Sequence, residues 1–219
     1  MEFRELLEIV GNVPLFETGL LLAGDTDPAN VHRQLSRWTA AGKLHQLRRG
    51  LYALAPPYQK AVPHPFLVAN YLVKPSYVSL QAALAHYGLI PEYAVEVTSV
   101  TTRRPAQVET PLGRYSFRHI KASRFYGYRR LEIGDAQPAF VARPEKALLD
   151  QVYLQPGGES LAYLRGLRLQ NLARLNLDVL QQLAVRAESP KLERAAANIA
   201  ALMAEKTEDN YETLSEDPD

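Results

Sequence analysis

The chain contains no cysteine among its 219 residues. That excludes disulfides, thiolate nucleophiles and cysteine-built zinc sites, and it fits a reducing compartment. No apolar run approaches the ~20 residues of a membrane-spanning helix. The opening MEFRELLEIV is acidic and amphipathic, unlike a secretory signal. The five histidines, His32, His45, His64, His86 and His119, are scattered, with no HxH or HExxH spacing. His32 and His45, with the single tryptophan Trp38, read as packing or polar surface and not as ligands. A Walker-type phosphate loop, a GxSxG elbow and a dinucleotide fingerprint are also missing. The expectation is a cytoplasmic protein that is not an enzyme, holds no metal and no cofactor, and is not bound to a membrane.

An excess of either charge is missing too, since 25 Lys and Arg stand against 24 Asp and Glu, a formal net charge of +1. The balance conceals an asymmetry. From Glu205 to Asp219 seven acidic residues face one lysine, a net −6, which leaves +7 on residues 1–204. Between Thr98 and Arg130 the basic residues Arg103, Arg104, Arg114, Arg118, Lys121, Arg124, Arg129 and Arg130 face Glu109 alone. The acidic end, residues 206–219, has almost no large apolar side chains and is expected to be a disordered tail. The 47% apolar fraction suffices for a globular core, and the length suits one or two domains.

What is there begins with DTDPANVHRQLSRWTAAGKLHQLRRGLYAL, Asp25 to Leu54. Asp27 suits an N-cap, with Pro28 at the first helical position, where a missing N–H is harmless. Val31, Leu35 and Trp38 recur on one apolar face, and Gly42 stands where a helix stops. Two short strands, 43–47 and 50–54, then flank Arg48-Arg49-Gly50, with the glycine supplying a hairpin's positive φ. Upstream, Phe3, Leu6, Leu7 and Val10 form a first amphipathic helix. A second short helix is expected near Phe16 to Leu22, before a turn at Ala23-Gly24-Asp25-Thr26. This order is that of a winged helix-turn-helix over residues 1–55. A helix fits the major groove of DNA, so Arg33 and Arg37 are candidates for guanine or phosphate, and Asn30 and Gln34 for adenine. Lys43, Arg48 and Arg49 are candidates for phosphate or minor-groove contact from the wing.

Residues 56–65 read as a Pro-rich linker. From 66 to 205 the pattern is mixed. Phe66 to Val73 suits a short buried helix. Ser79 is expected to cap a helix through LQAALAHYG, with Leu80, Leu84 and Tyr87 on one face. Strands are expected at Val95–Thr102, Arg114–Ile120, Phe125–Ile133 and Ala139–Ala142, with turns at Thr110–Gly113 and Gly134-Asp135, in a small antiparallel sheet. Helices follow from Pro144 in PEKALLDQVYL, as two short ones within Leu161–Leu183, and over Lys191–Glu205. The fold class expected is α+β.

Four stretches in order resemble the AbiEi-type antitoxins: RRGLYAL (Arg48–Leu54), YVSLQAALAHYGLIP (Tyr77–Pro91), VTSVTTRRP (Val97–Pro105) and ARPEKALLD (Ala142–Asp150). The resemblance spans most of residues 1–205. It implies a regulator encoded beside a nucleotidyltransferase toxin in an abortive-infection operon of the type IV toxin–antitoxin class. It implies repression of that operon through the head, by binding double-stranded operator DNA, with inverted repeats expected as the site. It assigns neutralisation of the toxin to the C-terminal domain, in a system where the two proteins need not form a stable complex. The basic residues Arg103, Arg104, Arg114, Arg118, Lys121 and Arg124 are then candidates for antitoxicity or extra DNA contact.

Two other readings compete. One is a plain winged-helix transcription factor whose second domain senses a ligand or mediates assembly. The other is a nuclease with a winged head, prompted by Glu145, Lys146 and Asp150. Metal-dependent phosphodiester chemistry needs convergent carboxylates, whereas Lys146 and Asp150 at i, i+4 read as a helical ion pair.

Overall fold

The computed structural model describes residues 1–22, 27–91 and 95–215, with side chains of the last helix only as far as Glu205. The expected turn at Ala23–Thr26 and the final residues 216–219 therefore lie outside the described residues. The fold is mixed α+β.

The first unit starts with α1, Phe3–Val10, whose Glu2 and Glu5 close a reciprocal capping box. Its Leu6 and Val10 are buried. Strand β1, Phe16–Glu17, runs into a 3-10 turn, Thr18–Leu22. The sequence leads one to expect an α-helix here. Instead, Phe16 pairs with Tyr52 across a strand, their rings stacked at 5.7 Å, and Thr18 N–H donates to Gly50 O. Pairing with a distant strand outweighs local helix preference over so few residues.

Helix α2 spans Pro28–Ala40, and the Asp27 carboxylate accepts from Ala29 N–H at 3.0 Å. It ends in a Schellman motif, with Gly42 N–H on Thr39 O and Lys43 N–H on Trp38 O. Gly42 takes φ +69, which favours glycine there. Strands β2, Leu44–Arg48, and β3, Leu51–Leu54, form the hairpin, and the small sheet has the order β1-β3-β2. Val31, Leu35 and Trp38 close a core with Leu6, Val10, Phe16, Leu21, Leu44, Tyr52 and Leu54. Each fully buried leucine in it contributes roughly 1.5–3 kcal/mol.

The second unit is a six-stranded sheet: β4 (Ser76–Val78), β5 (Val97–Thr101), β6 (Ala106–Thr110), β7 (Gly113–His119), β8 (Tyr128–Ile133) and β9 (Gln137–Ala142), in the order β6-β7-β5-β4-β9-β8. The sheet is mixed, which corrects the expected small antiparallel one: β5 runs parallel to β7, and β4 parallel to β9. The β6–β7 hairpin folds back so that β7, not β6, lies against β5. Three-residue β4 in the middle is not among the expected strands.

Helices α3 (Pro65–Leu72), α4 (Leu80–His86), α5 (Pro144–Leu154), α6 (Leu161–Gly166), α7 (Leu177–Arg186) and α8 (Pro190–Ser215) pack around it. The leucine-rich stretch splits into α6 and α7 as expected, with a 3-10 turn at Leu172–Arg174 between them. Helix α8 carries on past Glu205 to Ser215, where the charge pattern leads one to expect a disordered tail from residue 206.

A buried polar cluster ties these elements together. Lys146 and Asp150, one turn apart on α5, form an ion pair with side chains 4% and 3% exposed. The Asp150 carboxylate also accepts from Tyr77 Oη at 3.0 Å and Ser79 Oγ at 2.8 Å. Burial, then the Asp150 charge, holds the Tyr77 hydroxyl protonated far above its ordinary range. Ser79 precedes α4 as expected, but its hydroxyl is drawn to Asp150 and caps nothing. Thr98, from β5, does that work: its Oγ1 accepts from Ala82 N–H and donates to Ser79 O. Leu80 follows at φ +57, a strained conformation for a non-glycine residue, held by its buried side chain. Gly127, at φ +74, lies where a Cβ would come within 3.0 Å of the Lys146 stem.

Removing one member of a buried ion pair strands the other, at about 3–5 kcal/mol. Asp150→Ala and Lys146→Met are each expected to lose about that much in urea denaturation, and the double variant much less than the sum. Additive losses would show that the two charges do not act as a pair.

Candidate nucleic-acid interface

On α2 the three core residues leave the opposite face to solvent, and the described side chains there are polar or small. Asn30, Arg33 and Arg37 are exposed, with Ser36 and Ala40 beside them; Gln34 lies on the flank, half-buried. Among the described residues neither Arg33 nor Arg37 has an ion pair or a side-chain hydrogen bond. One helical turn apart, the two residues are separated by about 6 Å of backbone rise along the axis, a spacing from which long arginine side chains can reach neighbouring base-pair steps. The helix brings three of its four candidates to one open surface, with Gln34 at the edge.

The hairpin is different, and here the sequence-based assignment needs correction. Arg48 is committed within the protein: its Nη2 lies 3.0 Å from Glu17 Oε1, its Nε donates to Tyr71 O and its Nη1 to Arg49 O. Lys74, beyond α3, reaches the same Glu17 oxygen at 3.2 Å. Arg48 is thus an anchor between the two units rather than a free wing-tip cation. Lys43 is also engaged, its ammonium 4.5 Å from the centre of the Phe3 ring. Arg49 stays exposed, without an ion pair among the described residues.

Apolar contacts set this anchoring. Leu15, Leu47, Leu51 and Ala53, all from the first unit, belong to the core of the second. The hairpin therefore lies against the body instead of standing clear of it. No spacing in the chain revealed the Glu17 clamp. The one available signal is that Glu17 is the single charged residue between Glu8 and Asp25.

The Pro-rich segment is tied at its far end. Gln137 on β9 donates to Val62 O at 2.7 Å and accepts from His64 N–H at 2.8 Å. His64 then caps α3, its Nδ1 accepting from Phe66 N–H at 3.1 Å. That role requires an unprotonated Nδ1. Burial, aided by His86, lowers the His64 pKa below its usual 6.5.

The basic residues between 103 and 124 do not form one patch. Arg103 and Arg104 follow β5, and Arg118 and Lys121 lie at the end of the parallel neighbour β7, so four exposed cations gather at the same end of that pair. Arg103 Nε donates to Lys74 O, and His119 Nδ1 lies 2.9 Å from Arg103 O. Arg114 sits at the opposite end of β7, facing Glu109 across the strands. Arg124 points inward, which corrects its assignment to an open basic surface. It lies over the Tyr153 ring at 4.5 Å, donating to Tyr153 Oη and to Ala187 O.

Glu145, Lys146 and Asp150 do not converge on an open surface either. Glu145 is buried and accepts from Asn176 N–H, fixing the start of α7, while Lys146 and Asp150 hold each other. Among the described residues no group of His, Asp and Glu is placed to hold a metal ion, and no helix is long and apolar enough to cross a membrane. No model of a known protein family matches the chain, and no curated protein matches it.

Because the folded chain binds a proton at His64 less readily than the unfolded chain, the cap contributes fully above pH 6.5. Stability is expected to fall as the pH drops below that value, as His64 and the similarly buried His86 charge on unfolding. His64→Asn keeps a cap acceptor and should flatten the loss of urea midpoint between neutral and mildly acidic buffer. An unchanged slope would show that His64 is not the titrating group.

Proposed function

We propose that the protein is a DNA-binding antitoxin of the AbiEi type, whose winged helix-turn-helix head represses its own operon and whose second unit opposes a nucleotidyltransferase toxin. The observation that carries the DNA-binding part is the open face of α2, where Arg33 and Arg37 stand exposed and unpaired among the described residues. The order helix, strand, 3-10 turn, helix, hairpin, with β1 closing a three-stranded sheet, supports the winged-helix reading. The antitoxin part rests on the four sequence stretches that resemble that family. In this reading the protein acts in the cytoplasm.

The anchored hairpin shapes the proposal. With Arg48 and Lys43 engaged, base reading falls to Asn30, Arg33, Gln34 and Arg37, and phosphate contact at the hairpin to Arg49. A head held against the body would present α2 in a fixed direction, and two heads would then read two half-sites at a spacing set by the whole protein.

Replacing Arg33 and Arg37 together with Ala is expected to weaken operator binding by several kcal/mol, at ~1–3 kcal/mol for each bidentate base contact. Arg49→Ala should instead reduce the slope of log affinity against log salt by about 0.9. Arg48→Ala should leave that slope unchanged. Fluorescence anisotropy on operator DNA reads all three, and wild-type affinity in the folded double variant would overturn the α2 reading.

Toxin opposition is tested separately. Reversing Arg103, Arg104, Arg118 and Lys121 to Glu should abolish growth rescue during co-expression with the neighbouring toxin, while Arg114→Glu alone should preserve it. Full rescue by the folded fourfold variant would leave that cluster as solvated surface only.

A further inference from the structure

A cleft of about 440 Å³ opens between the end of α3 and strands β4, β8 and β9, within the ordinary range for small-molecule sites. Its walls are aromatic. Tyr128 stacks on buried Tyr77 at 4.6 Å, and Phe140 meets Tyr128 edge-on at 5.9 Å. Phe125 lies tilted against Tyr128 at 5.2 Å. Phe140 is nonetheless 46% exposed, a large ring left open to solvent at the cleft. The Asn70 amide pins it there, donating to Phe140 O and accepting from Phe140 N–H.

The polar groups are few and of one kind. Lys74 and Arg130 line the cleft and no carboxylate does, although Arg130 Nη2 lies 3.0 Å from Glu132 Oε1 just outside it, in a pair that is exposed and therefore weak. Aromatic walls and two cations together describe what would fit.

We propose that this cleft binds a planar aromatic anion, a ring bearing one carboxylate or phosphate, and that its occupancy is felt by the first unit through Lys74. The ring would lie against Tyr128 and Phe140, and the anion would meet Lys74 and Arg130 in competition with Glu17 and Glu132. Lys74 is already shared. Its ammonium holds Glu17, which also holds Arg48, whose Nε in turn bonds the carbonyl of Tyr71, another residue of the cleft. An anion at Lys74 therefore competes with Glu17 for one cation. Whatever the ligand does to the clamp, the clamp does equally to the ligand. Binding in the cleft stands independently of the DNA reading; any effect on operator affinity rests on it.

Isothermal titration of the full chain tests the site. Two probes separate the sources of such an anion: 2-naphthoate for aryl carboxylates and AMP for nucleotides, with 2-naphthalenemethanol as the uncharged control. At least one anion should bind about tenfold more tightly than the alcohol, the loss expected when a charged hydrogen bond is removed. Arg130→Gln and Phe140→Ala, on exposed side chains whose replacement spares the core, should each weaken that binding about tenfold. Glu17→Gln should strengthen it several-fold by freeing Lys74. No heat from either anion at millimolar concentration, or equal binding by the alcohol, would overturn the site. Unchanged affinity in Glu17→Gln would overturn the coupling. If the chain binds no DNA, the proposed function fails, and the calorimetry still decides the cleft.

Discussion

The ion pair between Lys146 and Asp150 is the constraint on which the body depends. A carboxylate removed from water must be matched at every oxygen, and here three donors converge on it from two elements: Lys146 on α5, Tyr77 on β4 and Ser79 just after that strand. The consequence is register. Strand β4 is three residues long and lies in the middle of the sheet, antiparallel to one neighbour and parallel to the other. So short a strand has little ladder of its own, and a slip of one residue would turn Tyr77 away from Asp150. The buried charge makes that slip expensive. It also explains why Gly127 lacks a side chain, why Ser79 abandons its cap, and why Thr98 supplies one from the next strand.

A second group of charges joins the two units, and its energetics are of another kind. Glu17, Arg48 and Lys74 are all partly exposed, where single pairs are worth about 0–1 kcal/mol. The apolar contact of Leu15, Leu47, Leu51 and Ala53 with the body supplies the attraction, and the charges orient it. This arrangement suits adjustment, since a weak charged clamp shifts with modest changes nearby. It also separates two duties that a basic hairpin would otherwise combine. The hairpin holds the unit in place, and α2, which takes no part in that contact, keeps its basic face open.

Much of the local structure was legible in the chain. Asp27-Pro28, the Val31–Leu35–Trp38 stripe and Gly42 bound α2 on both sides by propensity and capping alone. Gly50 marked the hairpin, and Pro144 the start of α5. These signals act within a few residues, so no partner is needed to read them. The failures share the opposite property. Phe16-Glu17 is a strand because Tyr52 and Leu51 lie beside it. Strand β4 and the two parallel pairings arise from contacts between segments far apart in sequence.

The same division runs through the candidate site. By itself the sequence determined which helix carries an apolar stripe with Arg33 and Arg37 off it, and that Lys146 and Asp150 lie one turn apart. It also set the residue types available for binding. Only the tertiary structure decided which charges are free. Arg33 and Arg48 look alike in the chain, as do Arg118 and Arg124, yet Arg48 and Arg124 are bound to carbonyls and carboxylates or hydroxyls supplied by distant segments. A cation's availability depends on what the fold places next to it, and that neighbour is not written in the residue's own surroundings along the chain.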